Sequence, residues 1–533
     1  MQLEPVWLLF FFIMYYFFTI SYNFRYLSDK FFIFSKPVIN VIKEKKVRRS
    51  DLKFHASEYL IINTVNLRYL IFLVILYFIC FNYIFSIKYV RLYQSFHCYN
   101  FCWIYGNFII GFFFLYLIIL YCSYYVNYLK GIEHLFAVSF LFLNMHYFIF
   151  LNNLIVLVFL FELQSIIFMY YIALLHFNYL NHNYYINKQN PQFKSFNFQW
   201  YINSLFFQFW VSFVGVIFFV YGVFYIYRFA GFFDWSHLNL FFFFYKYSWS
   251  MLSHMECLFA WLIFFIGLLL KIGFFPFFLW KPEIYKNFNI FVLFFYMFIY
   301  LFFVLFFLFF FFNNFLLLTK GIWYIYIYYV YTIASISLLF YMYSIYDIRS
   351  FLAYSSALNL CYLLIILTIN SFAGFAAFLF YLFVYSFYIF NFFAFIFLIS
   401  NNFLWFFTDL QYLGNFIFLI CFFFSFFFGL AGIPPFLGFF AKICIVSTLL
   451  YEEQYFFFFL FLFVGLFASY FYLQTYRFSG FSVKSIYYIN RVVSFKFTGF
   501  FLYLNYFLLM VNFLSIFFLP DIYLFATWIA LNA

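Results

Sequence analysis

Residues 429–446 read GLAGIPPFLGFFAKICIV, and residues 265–280 read FIGLLLKIGFFPFFLW. Each run is apolar, each is interrupted by Gly and Pro, and each holds one lysine, Lys442 and Lys271 respectively. A lysine at bilayer depth is costly and normally marks an ion or proton path. Gly and Pro breaking membrane helices at matching places in two parts of a chain point to a transporter-type core. The two runs therefore bear on fold and function together.

The rest of the chain agrees. Of 533 residues 70% are hydrophobic and 8% charged, and the mean hydropathy is +1.04. A soluble surface needs far more charge than that. Spanning a hydrocarbon core takes about 20 apolar residues per helix, and the sequence divides into about fourteen such spans, with no period-2 alternation to suggest a barrel. The expectation is an all-α polytopic membrane protein. Phe (113) and Tyr (56) make up almost a third of the residues. A genome biased to AT-rich codons accounts for this, with the aromatic stripes as lipid-facing filler, and such bias points weakly to an organelle.

Charge placement orders the topology. The segment 414–450 is too long for one ordinary helix, and reads either as one helix broken at Gly432–Pro435 or as two helices with a turn there. With one broken helix, 20 of the 27 Lys and Arg fall in loops on the side of the basic 26–53 loop, Lys281 and Lys286 among them, against 5 opposite. That is the bias the positive-inside rule expects, and both termini then face outward. The net charge of +12 is placed by topology and is no nucleic-acid footprint. The KEKKVRRSDLK run from Lys43 reads as a solvated or headgroup-facing loop. The first apolar run, Val6 to Phe24, lacks a basic n-region and a cleavage site, so it reads as a retained helix. The eight cysteines include no C-x-x-C pair, so no iron–sulfur or zinc site is indicated. His97, Cys98 and Cys102 on one loop read as structural.

Four features bear on chemistry. In FLFELQSIIFMYY, Glu162 lies near the middle of the fifth span, 154–175, where a carboxylate must be neutral, paired or beside water. Lys271 lies deep in the seventh span, 256–279; burial disfavours its charged form and a nearby carboxylate favours it. Gly273 is flexible and Pro276 lacks a backbone donor, so together they unwind that span just past Lys271. Gly432, Pro434 and Pro435 do the same shortly before Lys442.

At these residues the chain resembles the subunit 2 family of NADH–ubiquinone oxidoreductase (respiratory complex I), which is related to cation/proton antiporters. The similarity runs from about Ile132 to Arg477. Glu162-Leu163 with Ser165 and Tyr170 resembles the family's E-L-x-S motif with its trailing aromatic. KIGFFPFFLWKPE, from Lys271 to Glu283, resembles K-x-G-x-x-P-F-H-x-W-x-P-[DE]. DIRSFLAYSSALNLCY, residues 347–362, resembles N-I-K-R-x-x-A-Y-S-S-x-x-x-x-G-Y. The run Gly429 to Lys442 resembles S-L-A-G-I-P-P-x-x-G-F-x-x-K, preceded by Asp409, Leu410 and Gly414 in a D-L-x-G-L-like segment.

The resemblance implies a fourteen-helix proton-translocating subunit with two inverted five-helix repeats, each with a broken helix. The segments would be three N-terminal helices with the basic loop (1–131), a first repeat (132–312), a second repeat (313–478), and a last helix with tail (479–533). Glu162 and Lys271 would form the coupling pair and Lys442 would carry the proton on the exit side. No cofactor or metal is expected in this chain; NADH, FMN, iron–sulfur clusters and ubiquinone would serve other subunits. Expected partners are other membrane-arm subunits and lipids, cardiolipin among them, with no nucleic acid. The expected place is the mitochondrial inner membrane, with the chain encoded in the organelle. An alternative is a sodium/proton antiporter subunit of the same superfamily, and another is a structural complex I subunit that has lost pumping. Three positions depart from the family. Phe278 and Asn359 stand at motif histidines, and the lysine usual on helix eight, about thirty residues after Lys271, would fall near Leu301. The span 289–312 holds no Lys, His, Glu or Asp, only tyrosines such as Tyr296 and Tyr300, and a phenol with a pKa of about 10 is a poor proton carrier.

Overall fold

The computed structural model describes residues 96–122, 131–148, 153–186, 192–234, 237–238, 251–274, 276–288, 290–306, 320–368, 371–398, 417–480 and 499–532. Among these the repetitive structure is helical, and strand-type pairing is limited to an isolated bridge between Asn153 and Asp234. Helices suit so apolar a chain because each satisfies its own backbone where no water can. In chain order they are α1 (Phe96–Cys122), α2 (Gly131–Tyr147), α3 (Leu154–Ile186), α4 (Gln192–Ala230), α5 (Met251–Ile272) and α6 (Trp280–Asn287). Then come α7 (Ile290–Phe294), which runs on through a π-helical turn (Phe295–Tyr300), and α8 (Lys320–Tyr343), α9 (Ile348–Thr368) and α10 (Phe372–Leu398). The last are α11 (Ile417–Ala431), α12 (Leu437–Tyr451), α13 (Tyr455–Gly480) and α14 (Gly499–Asn532). Five stretches among the described residues are long and apolar enough to cross a membrane: Leu154–Ala173, Ile202–Ala230, Ile348–Ile366, Phe372–Phe397 and Tyr455–Thr475.

The chain divides into two compact units. In the first, α1 and α2 meet through Phe113 stacked on Phe142 at 4.5 Å, and Tyr116 hydrogen-bonds Tyr171 on the later part of α3. The second unit takes in Leu151–Glu162 and everything from Gln192. Its centre is α9 and α10, whose apolar windows are 89% and 78% buried; α4 and α13, at 28% and 33%, form its periphery and turn apolar faces outward as lipid contact requires. Hydrogen bonds between buried amides tie α14 to this centre. Asn391 Nδ2 on α10 donates to Asn512 Oδ1 at 3.1 Å, and Asn512 Nδ2 donates to Ser425 Oγ on α11 at 3.3 Å. Asn505 Nδ2 donates to the Ala394 carbonyl at 3.3 Å.

Glycine sets the spacing of α4 and α5. A Cβ on Gly222 would lie 2.8 Å from the backbone of Phe264, and one on Gly267 would lie 2.9 Å from the Gly215 carbonyl oxygen. Apolar helices gain little from burying apolar surface in lipid, so close backbone approach through small residues is what holds such a pair. Gly215 then leaves room for Lys271, whose Cγ would be 3.2 Å from a Cβ there.

Candidate proton-path site at two helix breaks

Both helix breaks are built the same way. After α5, Gly273 has φ +68°, its N–H donates to the Leu270 carbonyl (3.2 Å), and the Phe274 N–H donates to Leu269 (2.9 Å). After α11, Gly432 has φ +75°, its N–H donates to Gly429 (3.1 Å), and the Ile433 N–H donates to Phe428 (3.2 Å). These are paired Schellman caps, which need a left-handed residue that glycine adopts without penalty. The prolines follow at once. Pro276 lies in the turn leading to α6, and Pro434 and Pro435 lie in the turn leading to α12. At 15 residues, α12 is about 22 Å long. That is short of the ~30 Å hydrocarbon core, so it cannot cross alone.

Glu162 and Lys271 come together. Lys271 Nζ, on the last turn of α5, donates to Glu162 Oε1 on α3 at 2.8 Å. The lysine side chain is 4% exposed and the glutamate 30%, so the pair is open on the carboxylate side. The ammonium also sits 5.4 Å and 5.6 Å from the ring centres of Phe161 and Phe219, within cation–π range.

Among the described residues, Lys442 meets no carboxylate. Its Nζ donates to the carbonyls of Leu430 (2.9 Å) and Ala431 (2.8 Å). The last four carbonyls of a helix have no partner within it. Gly432 and Ile433 serve Phe428 and Gly429, and Lys442 serves the remaining two, so the end of α11 is fully satisfied. The fit is close: a Cβ on Gly432 would lie 2.7 Å from Lys442 Cδ. Gly438 is seated against the Gly429 carbonyl, and its N–H donates to the Tyr388 hydroxyl at 3.3 Å. The Lys442 Nζ lies 6.0 Å from the Tyr362 ring centre.

Lys281, placed above in a charged loop, is a helical residue of α6 with 0% exposure. The cause is the helix period: Lys281 shares a face with Ile284, Tyr285 and Phe288, all buried, whereas Glu283 and Lys286 point outward. That 3–4–7 spacing was the signal in the sequence, masked by the nearby charges. Lys286 behaves as expected of a loop-side lysine, pairing with Asp347 at 3.0 Å. Arg349 donates to the Lys286 and Phe288 carbonyls, each at 3.1 Å, so DIRSF clamps the end of α6. Phe278, at the motif histidine, stacks edge-on against Tyr341 and Tyr354. Asn359 accepts a hydrogen bond from the Tyr381 hydroxyl at 2.8 Å. No charged side chain enters α7, and its π turn is wholly apolar apart from Tyr296 and Tyr300. Asp409, Leu410 and Gly414, like His97, Lys43 and the N-terminal run, lie outside the residues whose side chains are described.

Residues 196–468, slightly more than half of the chain, match the family described as NADH:quinone oxidoreductase/Mrp antiporter, TM. No match was found among curated protein sequences. Solved structures share the fold at low identity. A chain of respiratory complex I from Thermus thermophilus with bound aureothin aligns with TM-score 0.58 and 14% identity, over 87% of this chain and 98% of its own. One from the Mrp complex of Dietzia sp. gives 0.61 and 12%, over 90% and 92%. One from the membrane-bound sulfane sulfur reductase, an archaeal respiratory membrane complex, gives 0.66 and 12%, over 90% and 95%. With its buried lysines, capped breaks and apolar helices, the chain belongs to the NADH:quinone oxidoreductase/Mrp antiporter transmembrane family, as a multi-pass membrane protein.

Proposed function

We propose that this chain is a proton-translocating membrane-arm subunit of respiratory complex I, of the subunit 2 type, in the mitochondrial inner membrane. The observation that carries this reading is the pairing of Glu162 with Lys271 at one helix break, with Lys442 seated on the carbonyls of the other. A carboxylate–lysine pair holds a proton tightly when closed and releases it when parted. Lys442 can hold a proton against carbonyl oxygens and give it up when it leaves them. The chain contributes no redox chemistry; electron transfer from NADH to quinone takes place in other subunits and drives the change. The motifs from Lys271 to Glu283 and from Asp347 to Tyr362 support the subunit 2 reading over a sodium/proton antiporter. The test is purification of the native assembly followed by proton transport in vesicles. NADH:quinone reductase activity travelling with the chain is the expected result, with Lys271→Met and Lys442→Met lowering protons moved per electron. Copurification with sodium-dependent antiport and no NADH oxidation would replace this reading with the antiporter one. Unchanged proton stoichiometry in both variants would leave a structural subunit.

A further inference from the structure

The two breaks correspond more closely than their motif lysines suggest. Lys271 lies before its glycine, in the last turn of α5, whereas Lys442 lies ten residues after its glycine, inside the next helix. The residue that occupies the Lys442 position at the first break is Lys281. It follows Gly273 by eight residues, on the helix that restarts the chain. A Cβ on Gly273 would lie 2.5 Å from Lys281 Cε, much as one on Gly432 would lie 2.7 Å from Lys442 Cδ. In both places a lysine stem crosses the left-handed glycine.

The surroundings of Lys281 differ from those of a structural lysine. It is 0% exposed, and its Nζ has no hydrogen-bond acceptor among the described residues. Burying an amine with no partner is costly, so a residue kept only for packing would do better as Leu or Met. The titratable group facing it from α9 is Cys361, and Tyr285 lies one turn on along the same buried face of its own helix. From Cys361 the buried polar side chains continue along α9 as Tyr362, whose hydroxyl also lacks a partner and whose ring faces Lys442. Tyr331 on α8 lies near Cys361 and has a buried hydroxyl without a hydrogen-bond partner among the described residues. A line of polar groups thus runs from Lys281 past Cys361 and Tyr362 to Lys442 within one unit, and Lys271 lies two residues before the glycine that the Lys281 stem crosses; α7 contributes no charged group.

We propose that Lys281 is a proton-carrying residue between Lys271 and Lys442, made competent by its seat over Gly273 and by having no carboxylate partner among the described residues. The amine accepts a proton delivered from the Glu162–Lys271 side, and one N–H bond forms as the donor's breaks. It passes that proton on toward the α9 polar groups and Lys442, with no change of oxidation state. This inference rests on the proton-translocating reading above.

The experiment is proton transport by the intact purified assembly in vesicles, with assembly checked on native gels. The variants are Lys281→Met, Lys281→Gln, Lys281→His and, as reference, Lys442→Met. Removal of a positioned acid–base group typically costs 10²–10⁴-fold, so Lys281→Met and Lys281→Gln are expected to lower transport at least about tenfold in assembled complex. Lys281→His is expected to retain transport with its pH optimum moved to the acid side, since imidazole titrates near ~6.5 in water. Packing alone would not move that profile. Full transport in either the Met or the Gln variant, while Lys442→Met is inactive, would overturn the role of Lys281 and leave the function standing. Full transport in Lys442→Met as well would instead overturn proton translocation by this chain. Should Met fail to assemble, the Gln and His variants decide the matter.

Discussion

At the scale of single residues, what matters is which atoms hold each buried charge. Lys271 is held by a carboxylate, so its charge is balanced; removing one partner of a buried pair costs about 3–5 kcal/mol, less here because Glu162 is 30% exposed. Glu162→Gln is therefore expected to slow coupled proton transport several-fold, whereas Lys43→Gln in the basic KEKKVRRSDLK run is expected to leave it unchanged. Equal rates in the two variants, measured in vesicles, would count against the pairing as a coupling element. Lys442 is held by two carbonyls, which an arginine fork could also satisfy. Arginine keeps its proton at any accessible pH. Lys442→Arg should thus assemble normally and transport poorly, and full transport in that variant would reduce Lys442 to a helix cap.

At the scale of elements, glycine decides where helices stop and how near they come. Gly273 and Gly432 hold positive φ, a conformation that costs another residue about 1–2 kcal/mol. Gly273 also faces the Trp280 ring at 2.6 Å from a built Cβ. Gly273→Ala should lower the thermal midpoint of the purified assembly and disturb both Lys271 and Lys281. Between α4 and α5, Gly222 faces backbone at 2.8 Å, which cannot swing aside. Overpacking of this kind costs about 1–3 kcal/mol, so Gly222→Ala is expected to destabilise. Gly465→Ala on α13, where a Cβ meets nothing within 4 Å, is the control and should be neutral or slightly stabilising, as alanine is the better helix former. Equal melting of the Gly222 and Gly465 variants would mean that the α4–α5 spacing is not set by glycine.

At the scale of the whole molecule, buried amides do what hydrophobic burial cannot do in lipid, namely choose which helices are neighbours. Asn512 donates to Ser425 and accepts from Asn391, so one side chain joins α14, α11 and α10. Losing a buried partner costs about 1–3 kcal/mol for each group left unsatisfied. Asn512→Ala should lower the melting temperature of the assembly and increase proteolysis of α14, while the Glu162–Lys271 pair, formed between other helices, remains. Loss of transport without any loss of stability would contradict this division of labour.

The sequence by itself determined the membrane class and the two break points, because each rests on a local property: hydropathy, the φ freedom of glycine, the missing N–H of proline. It also showed that residues 289–312 carry no charge. Only the tertiary structure decided which groups meet. Glu162 and Lys271 are 109 positions apart, and their contact depends on the helix positions that Gly215, Gly222 and Gly267 permit for α4 and α5. Lys442 could have turned to a carboxylate or to water, and it serves carbonyls because the α12 start lies against the end of α11. Lys281, which a charge count places in an exposed loop, is buried for the same reason. A charge count weighs residues one at a time, and burial is settled by the face on which the helix places each side chain and by what is packed against that face.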